Sequence, residues 1–154
     1  MAGFRREYAA SDNFTKDQIS QLATYNKEVA AKGYNQPDYG KLLTALSTGV
    51  GAALSWVALA GIAATPVGVA GAVIATVGLL SAGEKNVVKA VCDGGYNSLA
   101  AILVDMQNGA WTDVKTKYAV LEFVDEKHRV IQPGVYVDQY KMNGVWYTKD
   151  KNYL

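Results

Sequence analysis

The sequence predicts an α+β protein: a helical bundle around a central hydrophobic helical hairpin, followed by a small C-terminal antiparallel β meander. Three observations predict it. Between Lys41 and Glu84 run 42 residues without a charge, and all 15 basic and 14 acidic residues lie outside that stretch. Amphipathic helical periodicity flanks the stretch on both sides. After Trp111 the texture changes to short runs rich in Val, Tyr, Ile and Trp, separated by turn residues.

A chain of 154 residues accommodates one domain, read here as a helical part, 1–109, and a β-rich part, 110–154. Half the residues are apolar and 19% are charged, a globular balance. A net charge of +1 supplies no field to attract nucleic acid. The one cysteine, Cys92, rules out an internal disulfide and reads as a small buried apolar residue. Met1-Ala2-Gly3-Phe4-Arg5-Arg6-Glu7 has no apolar core after its basic pair, so a cleaved signal peptide is not expected, and Gly3 is misplaced for myristoylation. The expected location is a secreted or released protein that then meets a target membrane, or else the cytoplasm.

Residues 1–14 are mixed and read as irregular. Thr15 and Gln18 then form a capping box, with Phe14 and Ile19 as the hydrophobic staple. Ile19, Leu22, Ala23 and Val29 share one face of the helix that follows, 16–32, which Gly33 closes. Residues 34–38 are a turn, and Pro37 suits the start of a second helix that runs into the charge-free block. Thr65-Pro66 breaks the block, because Pro66 cannot continue a helix and Thr65 can cap the next one. Two arms result, 42–64 and 66–82, spanning roughly 34 and 25 Å as helices. Against a hydrocarbon core about 30 Å thick, a hairpin is the natural arrangement.

Small residues recur at four-residue steps in the block (Gly49-Ala53, Gly71-Ala75, Gly78-Ala82), the spacing that lets helices approach closely. Its large apolar residues contribute about −0.3 to −0.6 kcal/mol each, so insertion is only mildly favoured. A segment near balance suits two homes, a sheath of amphipathic helices or a bilayer. The membrane-inserting candidates are Leu54, Trp56, Leu59, Ile62, Pro66, Gly68, Gly71, Ile74 and Gly78. Helix 84–107, with Val88, Val91, Cys92, Leu99, Ile102, Leu103 and Met106 on its apolar side, is the second sheathing helix. Gly94-Gly95 predicts a kink in it, and Asn108-Gly109 its end.

Strands are expected at 118–124, 129–132, 135–141 and 145–149, with turns at Asp125–His128, Pro133-Gly134 and Asn143-Gly144. Alternation places Tyr136 and Tyr140 on one strand face, with Trp146 and Tyr147 nearby, as a candidate receptor or interface surface. Lys141, Lys149 and Lys151 would favour anionic lipid. His128 reads as a solvated turn residue, and Asp125 and Glu126 as solvated acids. No nucleotide-binding glycine motif, metal-ligand spacing or catalytic constellation is legible, so no catalytic residue, cofactor or metal is assigned.

Over roughly residues 15–107 the pattern is similar to the pore-forming domains of colicins, where a hydrophobic helical hairpin is buried among amphipathic helices. It also resembles circular bacteriocins, whose glycine-rich apolar helices precede a charged one. The β-rich tail departs from both. These likenesses imply a membrane-active, pore-forming, toxin-like or bacteriocin-like protein. Its partners would be a lipid bilayer, further copies of itself in a homo-oligomer, and a receptor or an immunity or chaperone protein; nucleic acid is not expected. The alternative is a non-enzymatic structural or interaction protein whose hydrophobic hairpin forms a permanent oligomer core.

Overall fold

The structure, a computed structural model, describes residues 5–154. Met1–Phe4, and with them most of the segment read for a leader peptide, lie outside the described residues. The chain is α+β, but it is not a bundle around a hairpin. In chain order it forms β1 (Arg5–Thr15), α1 (Lys16–Val29) prolonged by a π-helical turn (Ala30–Asn35), α2 (Tyr39–Leu46), α3 (Ala53–Val57), α4 (Pro66–Leu79), α5 (Ala82–Gly109), β2 (Asp113–Phe123), β3 (His128–Ile131), β4 (Val135–Met142) and β5 (Val145–Tyr153).

The sheet is antiparallel throughout and draws on both ends of the chain. β2 is central: β1 lies along one edge for its full length, and β3 then β4 along the other, with β5 outside β4. β1 replaces the expected irregular start. Its Ala, Ser, Asp and Asn residues are poor strand formers, so pairing with β2 rather than local propensity makes it a strand. Tyr8, Ala10 and Phe14 turn to the covered face, while Arg5, Arg6, Glu7 and Asn13 keep the edge charged or polar.

α1 and α5 run antiparallel. The Lys16 N–H donates to Thr112 O just beyond the end of α5, whereas Asn26 meets α5 midway, donating to Cys92 O. The capping box at Thr15 forms as the spacing implies. α5 starts on a second capping box, Ser81 with Glu84, and runs unbroken through Gly94-Gly95. Those glycines serve close contact rather than a kink: a Cβ on Gly95 would lie 2.0 Å from Ile131 O, and one on Gly94 2.9 Å from Pro133. α5 is also long and apolar enough, by length and composition alone, to cross a membrane, although it carries Glu84, Lys85, Lys89, Asp93 and Asp105 and packs against α1.

The central block departs most from the hairpin expectation. The first arm is broken into α2, a loop, α3 and an irregular stretch at 58–65. Gly49, Gly51 and Gly61 all take positive φ, which ends helical geometry at each point. Ser47 and Thr48 hydroxyls donate back to Leu43 O and Ala45 O, which favours turn over helix. The second arm does form: Thr65 caps α4 by accepting from Gly68 N–H, and Pro66 is its first residue. α4 packs chiefly on α2, with lesser contacts to the π turn, α3 and β3. It is buried on one side (Val69, Val73, Thr76, Val77) and wet on the other. The segment is therefore not the hairpin core of a bundle, enclosed by a sheath of amphipathic helices. α1 and α5 pack mainly on each other rather than sheathing a hairpin between them.

Candidate functional site

Two exposed surfaces and one buried polar cluster stand out. The first surface is the outer side of α4. Val67, Gly71, Ala75, Gly78 and Leu79 fall on one stripe at helical spacing, all exposed, with Val67 at 60% and Leu79 at 48%. A Cβ built on Gly71 or Gly78 would meet nothing within 4 Å. The neighbouring exposed residues of 58–65 (Ala60, Gly61, Ala63, Ala64, Thr65) are uncharged too.

The membrane-inserting candidates do not share that surface. Leu54 is buried, and Leu59, Ile62, Pro66 and Ile74 are half-buried. Trp56 anchors α3 to the sheet. Its indole N–H donates to Tyr118 OH at 3.2 Å, its carbonyl accepts from Arg129 Nε at 2.7 Å, and the Arg129 guanidinium lies 3.9 Å from its ring centroid. Arg129 continues through Tyr8 to the buried Glu122, which Arg6 pairs at 2.6 Å. Gly68 is closely packed, but against the Ala63 carbonyl of the preceding loop rather than a second arm. Of the nine, Gly71 and Gly78 lie on the open stripe.

The second surface is the C-terminal sheet. The extra residue Asp138 shifts the β2–β4 register, so Tyr136 pairs with Lys117 whereas Tyr140 pairs with Val114. That bulge places the two tyrosines on opposite faces, where simple alternation puts them on one. On the outer face Trp146 is flanked by Lys115 and Lys141, at 4.6 and 5.8 Å from its ring centroid, and Tyr136 donates to Asp150 at 2.7 Å. That hydrogen bond helps raise the Tyr136 phenol to about 12. An open polar groove of about 410 Å³ runs beside them, lined by Ser11, Asn13, Lys115, Lys117 and Asp138. Lys117 and Asp138 sit 4.0 Å apart there, so the groove carries both signs of charge. On the opposite face Tyr140 is stacked between Trp111 at 4.2 Å and Tyr147 at 5.4 Å. Tyr140 and Trp111 are thus largely cross-strand packing, and Tyr147 alone of that trio is well exposed.

The buried cluster centres on His128, which is 0% exposed rather than solvated. Its ring stacks 4.8 Å from Phe123. Nε2 lies 3.1 Å from Tyr34 OH and Nδ1 3.5 Å from Thr76 Oγ1. Thr76 already donates to Ala72 O, leaving its lone pair for Nδ1–H, while Tyr34 donates to Nε2. Burial drives the imidazole down from 6.5 to about 3, so it is neutral at pH 7. Reading His128 as a turn residue misses this because the chain folds back: Ala58 forms an isolated bridge with His128, and α4 closes over it. Glu126 is half-buried, with Oε1 lacking a hydrogen-bond partner, and burial raises its carboxyl. Cys92 is buried, which pushes its thiol well up and keeps it protonated. Among the described residues no group of three or more His, Cys, Asp or Glu is arranged to hold a metal ion.

Comparison with known proteins finds no family model, curated protein or solved structure that matches this chain.

Proposed function

We propose that this chain is a non-enzymatic, membrane-active protein, toxin-like or bacteriocin-like in manner, that meets a bilayer through the charge-free side of α4. The observation that carries the reading is the exposed stripe Val67–Gly71–Ala75–Gly78–Leu79 within a stretch, 42–83, that contains no charge at all. A helix lying in the interface buries its apolar face by about 5–10 Å at the headgroup–acyl boundary, and here no charge has to be buried with it. α4 is also a peripheral element, tied chiefly to α2 and bounded by the loop before Pro66 and the short link before Ala82. Its 14 residues span about 21 Å, less than a hydrocarbon core of about 30 Å, so it lies along the interface rather than crossing it.

Flotation with vesicles of phosphatidylcholine and phosphatidylglycerol, together with dye release, tests the proposal. Wild type floats, and Ala75→Glu, an exposed change that leaves the fold intact, stays behind. No flotation at pH 7 or pH 5 removes the membrane reading.

A second reading rests on Gly71 and Gly78, whose open surface lets another helix approach to backbone contact. In that case the same stripe is a self-association face. Light scattering then shows an oligomer without lipid, and Gly71→Leu returns it to monomer.

A further inference from the structure

We infer that His128 is an acid-sensitive latch: its imidazole holds α4 down while neutral, and protonation releases α4 from the body of the protein. The inference deepens the reading of α4 as the membrane-facing element and rests on that reading for its purpose, though not for its test.

The geometry is that of a junction. His128 touches α4 through Thr76, the π turn through Tyr34 and β2 through Phe123, and the chain at Ala58 bridges to its backbone. Among the described residues both hydrogen-bond partners of the ring, Tyr34 and Thr76, are uncharged. α4 has no charged residue, and the stretch around Ala58 has none. The π turn presents Tyr34, and behind it α1 and α5 present Tyr25 and Cys92, all three kept neutral by burial. Arg129, next in β3, turns to Trp56 and Tyr8. Glu122 is committed to Tyr8 and Arg6. Asp125, Glu126 and Lys127 occupy the adjacent turn; the Glu126 carboxylate is near enough to help raise Tyr34, but it makes no hydrogen bond to the His128 ring, whose downward shift comes from burial.

A proton on His128 therefore creates a buried cation with no carboxylate in hydrogen-bond contact, which is relieved by admitting water. Of the elements around it, α1, α5 and β3 are tied together by Asn26, which donates to Ile131 O at 2.8 Å and to Cys92 O. α4 is the side held by apolar packing and the Thr76 contact, so it yields first.

The sign follows from linkage. The closed-state value lies below 6.5, so stabilisation by the latch is complete above that pH and is lost as pH falls towards 3. Glu126, raised by burial, acts in the opposite sense as pH falls, and comparison with His128→Gln, which keeps Glu126, separates the two. If the released imidazole regains its ordinary value, the opening constant of α4 rises about 25-fold from pH 7 to pH 5.

Hydrogen exchange by mass spectrometry, corrected for intrinsic rate and run on the full chain without lipid, measures that opening. Peptides covering 66–79 should show the rise, peptides from the middle of α5 should not, and His128→Gln should be flat. A flat wild type, or an equal rise in His128→Gln, overturns the latch. Should the variant not fold, the wild type decides through NMR, because His128 is the chain's one histidine. The expected result is a folded imidazole signal that does not titrate from pH 7 to 5 while a second, titrating signal grows. A folded signal titrating near 6.5 overturns the proposal. Acid opening without vesicle binding would leave the latch standing and remove the membrane reading; binding without acid opening would do the reverse.

Discussion

The α1–α5–sheet frame and the charge-free segment 42–83 bury their apolar residues by different means. In the frame, polar side chains fix how the elements meet. Asn26 on α1 donates to Cys92 O on α5 and to Ile131 O on β3, and its Oδ1 accepts from Ile131 N–H at 3.4 Å. Ser98 on α5 donates to Tyr153 O and accepts from Gly134 N–H. Each such bond has direction, and a buried partner left unpaired costs about 1–3 kcal/mol, so the frame has one way to assemble. In the segment, Thr44, Ser47, Thr48 and Ser55 spend their hydroxyls on their own backbone. Outside 53–59, where Ala53, Trp56 and Leu59 bond to the frame, what holds it is largely non-directional: Leu42, Leu46, Val50, Leu54, Val57, Val69 and Val73 pack inwards. With no charge to send outwards, the segment has to expose Val67 and Leu79. The contrast teaches that one chain can join a body keyed by buried polar bonds to a layer placed mainly by packing.

Matched substitutions in the two regions sharpen the contrast. The largest effect is expected from Gly95→Ala, where the new Cβ would lie 2.0 Å from Ile131 O and 2.4 Å from Asn26 Nδ2. Both neighbours are locked, so stability in urea should fall by about 3 kcal/mol or more. Asn26→Leu should cost about 2 kcal/mol by stranding the Ile131 groups. Gly68→Ala offers a similar geometric conflict in the other region, 2.3 Å from Ala63 O. There the loop can shift, and helix propensity returns up to about 1 kcal/mol, so a loss of about 1 kcal/mol or less is expected. A loss as large as that of Gly95→Ala would break the contrast. Gly71→Ala, opening onto empty space, is the smallest change and should stabilise by up to about 1 kcal/mol.

Local signals in the sequence were the legible ones. Thr15 with Gln18, and Thr65 with Pro66, mark helix starts because a cap is a contact within four residues. Asn143-Gly144 marks its hairpin because both residues take positive φ, 52° and 78°. β1 was not legible, since a polar strand is made by the neighbour it pairs with. The hairpin expectation failed because charge-free composition measures what a segment lacks, whereas Gly49, Gly51 and Gly61 set where it bends. The stripe residues Gly71 and Gly78 were visible in their four-residue rows, but whether those rows face a partner arm or solvent depends on the far side of α4.

Acting alone, the amino-acid order determined the segregation of charge, the helix caps and the tight turns, all of which arise within a few residues of chain. Only the tertiary structure decided that β1 joins β2, that α4 has a wet side, and that His128 is sealed beneath Thr76 and Tyr34. Those outcomes depend on residues tens of positions apart competing for the same space, and burial is a property of that competition rather than of any residue in it.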